Sequence, residues 1–129
     1  MNYPKHKSEE SVQDYLETIL LLNRKQASVR SIDIARELGY SKPSVSVAMK
    51  NLRLKEYIEV SEEGFITLTP TGLEIAKYVL ERHTVLSQWL IRMGVTPEIA
   101  MEDACKMEHD MSHESFEAIK NYLQNHGDV

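Results

Sequence analysis

The segment Cys105-Lys106-Met107-Glu108-His109 places three side chains that bind transition metals at positions i, i+3 and i+4. On an α-helix these positions lie on one face, with neighbouring Cβ atoms about 5–6 Å apart. A thiolate, a carboxylate and an imidazole then point toward one place. Because three ligands from one helix are too few to enclose an ion, the motif predicts a metal site that other segments of the chain complete.

Composition describes an ordinary globular chain of 129 residues, 42% hydrophobic and 27% charged, long enough for one compact unit or two small subdomains. No apolar run approaches the ~20 residues that a membrane helix needs, and we expect no secretory signal. The single cysteine cannot form an internal disulfide. We therefore expect a reducing, cytoplasmic environment.

The net charge of −5 hides a strong local asymmetry. Residues 24–55 carry eight Lys or Arg against two acids, Asp33 and Glu37, which gives a net charge of +6. Residues 1–23 sum to −2 and residues 56–129 to −9. A basic segment inside an acidic chain indicates a local phosphate-binding face, although a solvated helical face is the common alternative.

The first helix is predicted from Ser8, after a polar tail over residues 1–7. Its apolar residues follow a 3- and 4-residue period, namely Val12, Tyr15, Leu16, Ile19, Leu20 and Leu22. Asp14 and Glu17 are three residues apart, off that apolar stripe, and therefore neighbours on one side of the helix. Two carboxylates alone more often belong to a solvated face than to a ligand set.

Two helices joined by a tight glycine-containing turn follow. Ser31 is expected to cap a helix over Ile32–Leu38 that Gly39 ends, and Ser41 is expected to cap a second helix to about Lys55. This arrangement is typical of a helix-turn-helix, with a plain helical hairpin as the alternative. Small hydroxyl side chains and lysine suit a helix in the major groove. The predicted DNA contacts are Arg30, Ser31, Ser41, Lys42, Pro43, Ser44, Ser46 and Lys50.

Two short β-branched and aromatic segments, Tyr57–Val60 and Phe65–Leu68, flank Glu62-Glu63-Gly64 and predict a β-hairpin. A hairpin directly after a recognition helix is the wing of a winged helix-turn-helix. Its acidic tip predicts a weak contact with phosphate. The predicted fold is mainly α, with a winged helix-turn-helix DNA-binding domain over residues 1–70 and an all-helical dimerisation and metal-sensing domain over 71–129.

The second domain is predicted to contain three helices, begun by the caps Thr69, Thr96 and Ser112. The first extends to about Met93 and has more apolar surface than one winged module needs, which favours a partner subunit. It carries His83, and a lone histidine is usually only a surface or core residue. The last helix is expected over Glu114–Gln124. Its predicted inward side chains are Phe116, Ile119, Tyr122 and Leu123.

The whole chain resembles the metal-dependent repressors of the diphtheria toxin repressor and manganese transport regulator family, in their short form without an extra C-terminal domain. The segments that carry the resemblance are Asp14-Tyr15-Leu16-Glu17, Ser41–Leu52, Leu68-Thr69-Pro70-Thr71-Gly72, Arg82-His83 and Ala104-Cys105-Lys106-Met107-Glu108-His109-Asp110-Met111-Ser112. The resemblance implies a homodimeric transcriptional repressor, not an enzyme, with a divalent metal as corepressor. The metal ligands that it implies are Asp14, Glu17, His83, Cys105, Glu108 and His109.

The ligand set that the resemblance implies is a hybrid of two branches of the family. The manganese-sensing branch has a carboxylate where Cys105 stands, and the iron-sensing branch has methionine where Asp14 stands. A second site of the iron branch uses a glutamate and a histidine that align with Ser87 and Met101, so that site is not expected in the same form. One thiolate shifts preference toward softer ions. We therefore expect Fe²⁺ to be favoured, with Mn²⁺ close behind.

The hypothesis that follows is that a divalent ion removes the repulsion among Asp14, Glu17, Cys105 and Glu108 and joins the first helix to the later helices. The dimer would then bind a palindromic operator of metal-homeostasis genes. Three rival interpretations remain: a winged-helix regulator that senses a small organic ligand, a winged helix that binds protein, and a small metallohydrolase. The hydrolase lacks any further catalytic motif.

Overall fold

The computed structural model describes residues 4–126, with side chains described from Ser11 onward. Within these residues the chain forms six α-helices and one two-stranded antiparallel sheet, so the predicted fold class is confirmed. In chain order the elements are α1 (Pro4–Lys25), α2 (Ser31–Leu38), α3 (Lys42–Leu54), β1 (Ile58–Val60), β2 (Ile66–Leu68), α4 (Pro70–Arg92), α5 (Pro97–Asp110) and α6 (His113–Asn125).

Internal contacts divide the chain into two compact units. The N-terminal unit is Lys7–Lys77, and the C-terminal unit contains residues 4–6 and 78–126 of the described part. The division lies inside helix α4. The sequence-based boundary between residues 70 and 71 stays a prediction.

The helix-turn-helix forms where the capping residues predict it. The backbone N–H of Ser44 donates to Ser41 Oγ at 3.3 Å, which caps α3. Gly39 ends α2 in the left-handed conformation, with a φ of 72°, and its N–H donates to Ala35 O at 2.9 Å. The side chains of Ile34, Val45 and other apolar residues on the facing sides of these helices are buried.

Two predicted helix starts are wrong. Helix α1 begins at Pro4, so Ser8 lies inside the helix and does not precede it. Of the predicted tail, residues 1–3 lie outside the described residues. Helix α2 begins at Ser31 itself, with Arg30 at the capping position, because the Asp33 carboxylate accepts a hydrogen bond from the Arg30 backbone N–H at 2.9 Å.

The wing is a short hairpin in which Ile58 pairs with Leu68 and Val60 with Ile66. Ile58 and Ile66 are buried, while the tip at Glu62 and Glu63 is exposed. The predicted hairpin is therefore confirmed, with each strand one residue shorter. After the hairpin, Thr69 Oγ1 accepts from the N–H of Gly72 at 3.1 Å and begins α4 as expected.

The core of the C-terminal unit lies among α4, α5 and α6. The buried residues of this cluster are Val85, Leu86, Ala104, Phe116 and Leu123. Tyr122, predicted to face inward, is 61% exposed. The position before Leu123 is rotated by about 100° around the helix axis, which turns Tyr122 away from the stripe formed by Phe116 and Leu123.

None of the helices within residues 4–126 is both long enough and apolar enough to cross a bilayer.

The close approach of the Tyr57 backbone to the first turn of α4 leads us to expect a strict requirement for glycine at position 72. A Cβ at Gly72 would lie 2.0 Å from the backbone oxygen of Tyr57, which no side-chain rotation relieves. We expect Gly72→Ala to lower the free energy of unfolding by about 2 kcal/mol or more, because the backbone on one side must shift. Urea denaturation monitored by circular dichroism measures this loss.

Thr71→Ala is the matched control, because Thr71 is the exposed neighbour of Gly72. Its unfolding free energy should stay within about 0.5 kcal/mol of the unmodified protein. Equal stability of the Gly72→Ala protein and this control would contradict the close approach of the two backbones.

Candidate functional site

Helix α5 carries the Cys-x-x-Glu-His motif, as the sequence predicts. Proline at its first position and Glu98 in its first turn favour the helix start, and the helix continues unbroken from Pro97 to Asp110. Cys105, Glu108 and His109 therefore share one helical face. Cys105 is a free thiol and is half-buried.

The carboxylate of Glu108 and the imidazole of His109 are buried side by side. Their side chains are 2% and 5% exposed, and Glu108 Oε1 lies 3.8 Å from His109 Nε2. Burial of a carboxylate is costly unless a cation or strong hydrogen bonds offset the lost hydration. Carboxylate, imidazole and thiolate together are a donor set that fits a divalent transition metal. These residues can therefore hold such an ion.

The fourth predicted ligand of the C-terminal unit, His83, lies on α4 beside α5. Its Nε2 forms a hydrogen bond of 3.2 Å with the backbone oxygen of Met101. Met101 is one helical turn before Cys105 on the same helix. Packing of α4 against α5 thus brings His83 next to the helix that carries the other three donors.

Asp14 and Glu17 lie on α1, within the N-terminal unit. Both side chains are half-buried rather than fully solvated, and they are neighbours along one side of a continuous helix. Their assignment to the same metal site as Cys105, Glu108 and His109 stays a prediction.

The outward face of α3 presents side chains expected to contact DNA. Ser44, Ser46 and Lys50 are exposed, while Val45 of the same helix is fully buried. The eight basic residues of the 24–55 segment are exposed without exception, namely Arg24, Lys25, Arg30, Arg36, Lys42, Lys50, Arg53 and Lys55. Folding therefore keeps the whole local excess of positive charge at the surface of the N-terminal unit.

A groove of about 270 Å³ runs along this face. Its lining residues are Ser31, Ser46, Met49, Lys50, Arg53 and Val60. Arg53 was not among the predicted contacts. The signal for it was present in the sequence, because Arg53 is three residues after Lys50 and so lies on the same side of the helix.

Arg30 connects the start of α2 to the wing. Its guanidinium lies 4.7 Å from the centre of the Phe65 ring, within the range of a cation–π contact. The backbone N–H of Ile66 also donates to the oxygen of Val29 at 2.7 Å. Arg30 is thereby held at the surface beside the hairpin, where its remaining N–H groups can reach a phosphate.

Comparison with known proteins assigns the N-terminal and the C-terminal segment of the chain to described protein families. Residues 8–64 match the family described as "Iron dependent repressor, N-terminal DNA binding domain", and residues 69–127 match "Iron dependent repressor, metal binding and dimerisation domain". The transcriptional regulator MntR of Escherichia coli O157:H7 is 37% identical over 118 residues, which cover 92% of this chain and 76% of MntR.

Solved structures agree in fold. A manganese-dependent transcriptional repressor in complex with manganese superposes with a TM-score of 0.79 at 25% identity, over 88% of this chain and 52% of that protein. The T. acidophilum protein IdeR superposes with a TM-score of 0.75 at 28% identity, over 89% of this chain and 53% of IdeR. This chain thus spans about half the length of these two proteins.

These findings do not favour an organic ligand as the signal, because the family matched by residues 69–127 is described as metal binding.

A substitution at the buried Glu108 should weaken metal binding without changing the stability of the metal-free protein. At an Mn²⁺ concentration about 100 times its dissociation constant, a bound ion stabilises the folded protein by about 2.7 kcal/mol. We expect Glu108→Gln to lose most of this gain, because the neutral carboxamide is a poorer ligand. The metal-free variant should unfold at nearly the same urea concentration as the metal-free parent protein.

Glu102→Gln removes an exposed carboxylate from the same helix and is the matched control. It should keep the full stabilisation by Mn²⁺. If Glu108→Gln and Glu102→Gln gain equal stability from the ion, Glu108 is not a ligand.

Proposed function

Because the chain belongs to the iron-dependent repressor family and is a metal-dependent transcriptional regulator, we propose that it is a homodimeric repressor whose operator binding requires a divalent metal as corepressor. The observation that carries the proposal is the buried pair Glu108 and His109 on the helix of Cys105, inside the segment that matches a metal-binding and dimerisation domain.

The proposed ligands are those that the resemblance implies, namely Asp14, Glu17, His83, Cys105, Glu108 and His109. A bound divalent ion supplies positive charge that offsets the mutual repulsion of the carboxylates and the thiolate. Asp14 and Glu17 belong to the helix that begins the DNA-binding segment, whereas the other four belong to α4 and α5. Sharing one ion among these residues is our explanation for the dependence of DNA binding on metal.

The proposal of a homodimer is supported by apolar side chains that are exposed at the end of α4 and the start of α5. Ile91, Met93, Ile99 and Met101 are between 40% and 57% exposed. Burial of such residues is characteristic of the core of a homodimer interface. Two-fold symmetry then predicts a palindromic operator with half-sites one or more DNA turns apart, about 34–36 Å for each turn. We propose that the operator controls metal-homeostasis genes and that the protein acts in the cytoplasm.

The identity of the ion is the least constrained part of the proposal. The preference for Fe²⁺ over Mn²⁺, expected from the thiolate of Cys105, is not supported by the comparisons, in which proteins named for manganese predominate beside the iron-named family. We therefore propose a divalent transition metal as corepressor and assign to Cys105 the choice between softer and harder ions.

Anaerobic titration of the metal-free protein with Mn²⁺, Fe²⁺ and Zn²⁺ tests the function directly, with gel shift on its own upstream promoter fragment as the readout. DNA affinity should rise by at least tenfold with one or more of these ions. By linkage, the DNA fragment must raise the affinity for the same ion by the same factor. Operator affinity that none of the three ions changes would overturn the proposal.

Cys105→Glu, measured in the same titration, identifies the role of the thiol. A fourth carboxylate in place of the thiol makes the ligand set harder, so the response to Mn²⁺ should strengthen relative to those to Fe²⁺ and Zn²⁺. An unchanged order of the three responses would exclude Cys105 as the residue that selects the ion.

Lys50 is expected to contribute to DNA binding but not to metal binding. It is exposed on α3 and lines the groove of the N-terminal unit beside Arg53. Lys50→Ala should weaken operator binding in the presence of metal, and the slope of log affinity against log salt concentration should decrease by about 1 if Lys50 contacts a phosphate. Fluorescence anisotropy at several salt concentrations measures both quantities.

Lys77→Ala removes the same charge from an exposed position on α4 and controls for the change in net charge. Mn²⁺ affinity should be the same in both variants. A loss of DNA affinity that is equal in the two would assign the effect to overall charge and not to a contact made by Lys50.

A further inference from the structure

Arg82 is a buried cation in the C-terminal unit. It precedes His83 on α4 and is only 7% exposed. Burial of a guanidinium is unfavourable unless hydrogen bonds and nearby electron-rich groups offset the lost hydration. The groups that contact the Arg82 guanidinium therefore indicate the role of this residue.

The guanidinium contacts the corner between α5 and α6. Its Nη2 donates to the backbone oxygen of Met111 at 2.6 Å, and its centre lies 5.5 Å from the Tyr78 ring and 5.4 Å from the Phe116 ring. The two rings meet edge to face. The Tyr78 hydroxyl forms a hydrogen bond with His113 Nδ1, and burial raises the pKa of Tyr78, so this phenol stays neutral.

Folding stability alone does not account for an arginine at this position. Its Nε–H has no hydrogen-bond acceptor among the residues that the structure describes, although it is buried. A buried guanidinium with an unsatisfied N–H leaves part of its desolvation cost without compensation. A role other than stability is therefore indicated.

The bond to Met111 fixes the last turn of α5. The final carbonyl groups of a helix lack partners within the helix, and a cation at this end is favourable. Met111 follows directly after α5 and is two residues beyond His109. On the other side, His83 Nε2 bonds to Met101 O. Two adjacent residues of α4 thus hold α5 at both ends of the segment that contains Cys105, Glu108 and His109.

We propose that Arg82 is a positioning residue of the metal site, which holds the ligand-bearing turn of α5 in register with His83 on α4. The inference rests on the proposed function, because it takes Glu108 and His109 as ligands. Arg82 itself touches no metal ligand in this role. It sets the distance between the proposed metal ligands of α5 and His83 on α4.

Arg82→Met separates this role from a merely structural one. In the metal-free protein we expect a melting temperature close to that of the parent, because removal of the buried charge offsets the lost bond to Met111 O and the lost ring contacts. Mn²⁺ affinity should fall by about tenfold, the size of effect typical of groups that orient metal ligands. The visible absorption of bound Co²⁺, which depends on coordination geometry, should also change. Calorimetry and absorption titration provide these measurements.

Lys120→Met is the matched control. It removes the same charge and introduces the same side chain, but the bond that it breaks is the 2.8 Å ion pair with Glu81 between α4 and α6. It should leave Mn²⁺ affinity and the Co²⁺ spectrum unchanged. Arg82→Lys keeps a donor for Met111 O without the planar contact to the rings, and should recover part of the affinity.

The outcomes separate this inference from the proposed function. If Glu108→Gln loses Mn²⁺ binding while Arg82→Met keeps the parent affinity and Co²⁺ spectrum, the inference about Arg82 is wrong and the metal site stands. A lower melting temperature of metal-free Arg82→Met, with an unchanged Co²⁺ spectrum, would make Arg82 a structural residue and also overturn the inference. Full Mn²⁺ binding by Glu108→Gln would remove the site itself.

Discussion

The arrangement depends on a carboxylate that folding removes from water. The Glu108 side chain is 2% exposed, and its Oε1 lies 3.8 Å from Nε2 of His109, whose side chain is 5% exposed. A buried anion is tolerated only where hydrogen bonds or positive charge replace its hydration. A divalent ion provides more of that charge than any single side chain. With Glu108 as a proposed ligand, metal binding and the stability of the C-terminal unit are linked through this one group.

The second constraint is the separation of charge along the chain. The protein is acidic overall, yet its eight basic residues between positions 24 and 55 are all exposed on the N-terminal unit. The acidic residues belong mainly to the segments that precede and follow it. The basic residues that suit phosphate and the carboxylates of the proposed metal ligands therefore lie on different helices.

Local signals predicted most elements correctly, and the errors have physical causes. Ser41, Thr69 and Ser112 cap their helices, because capping is a contact within four residues. Ser31 was the wrong cap because Asp33 satisfies the backbone of Arg30 instead. Tyr122 is exposed because periodicity identifies an apolar face only to within one position. Arg53 was missed although its spacing from Lys50 indicated the same face.

The sequence by itself determined the types of donor, the helical spacing of Cys105, Glu108 and His109, and the order of the winged helix-turn-helix and the helical segment. These features depend on neighbours a few positions apart. Only the tertiary structure decided that Glu108 and His109 are buried, that His83 bonds to α5 and that Arg82 holds the end of that helix. These contacts join residues 18 to 34 positions apart, and they form because α4, α5 and α6 bury a common apolar core.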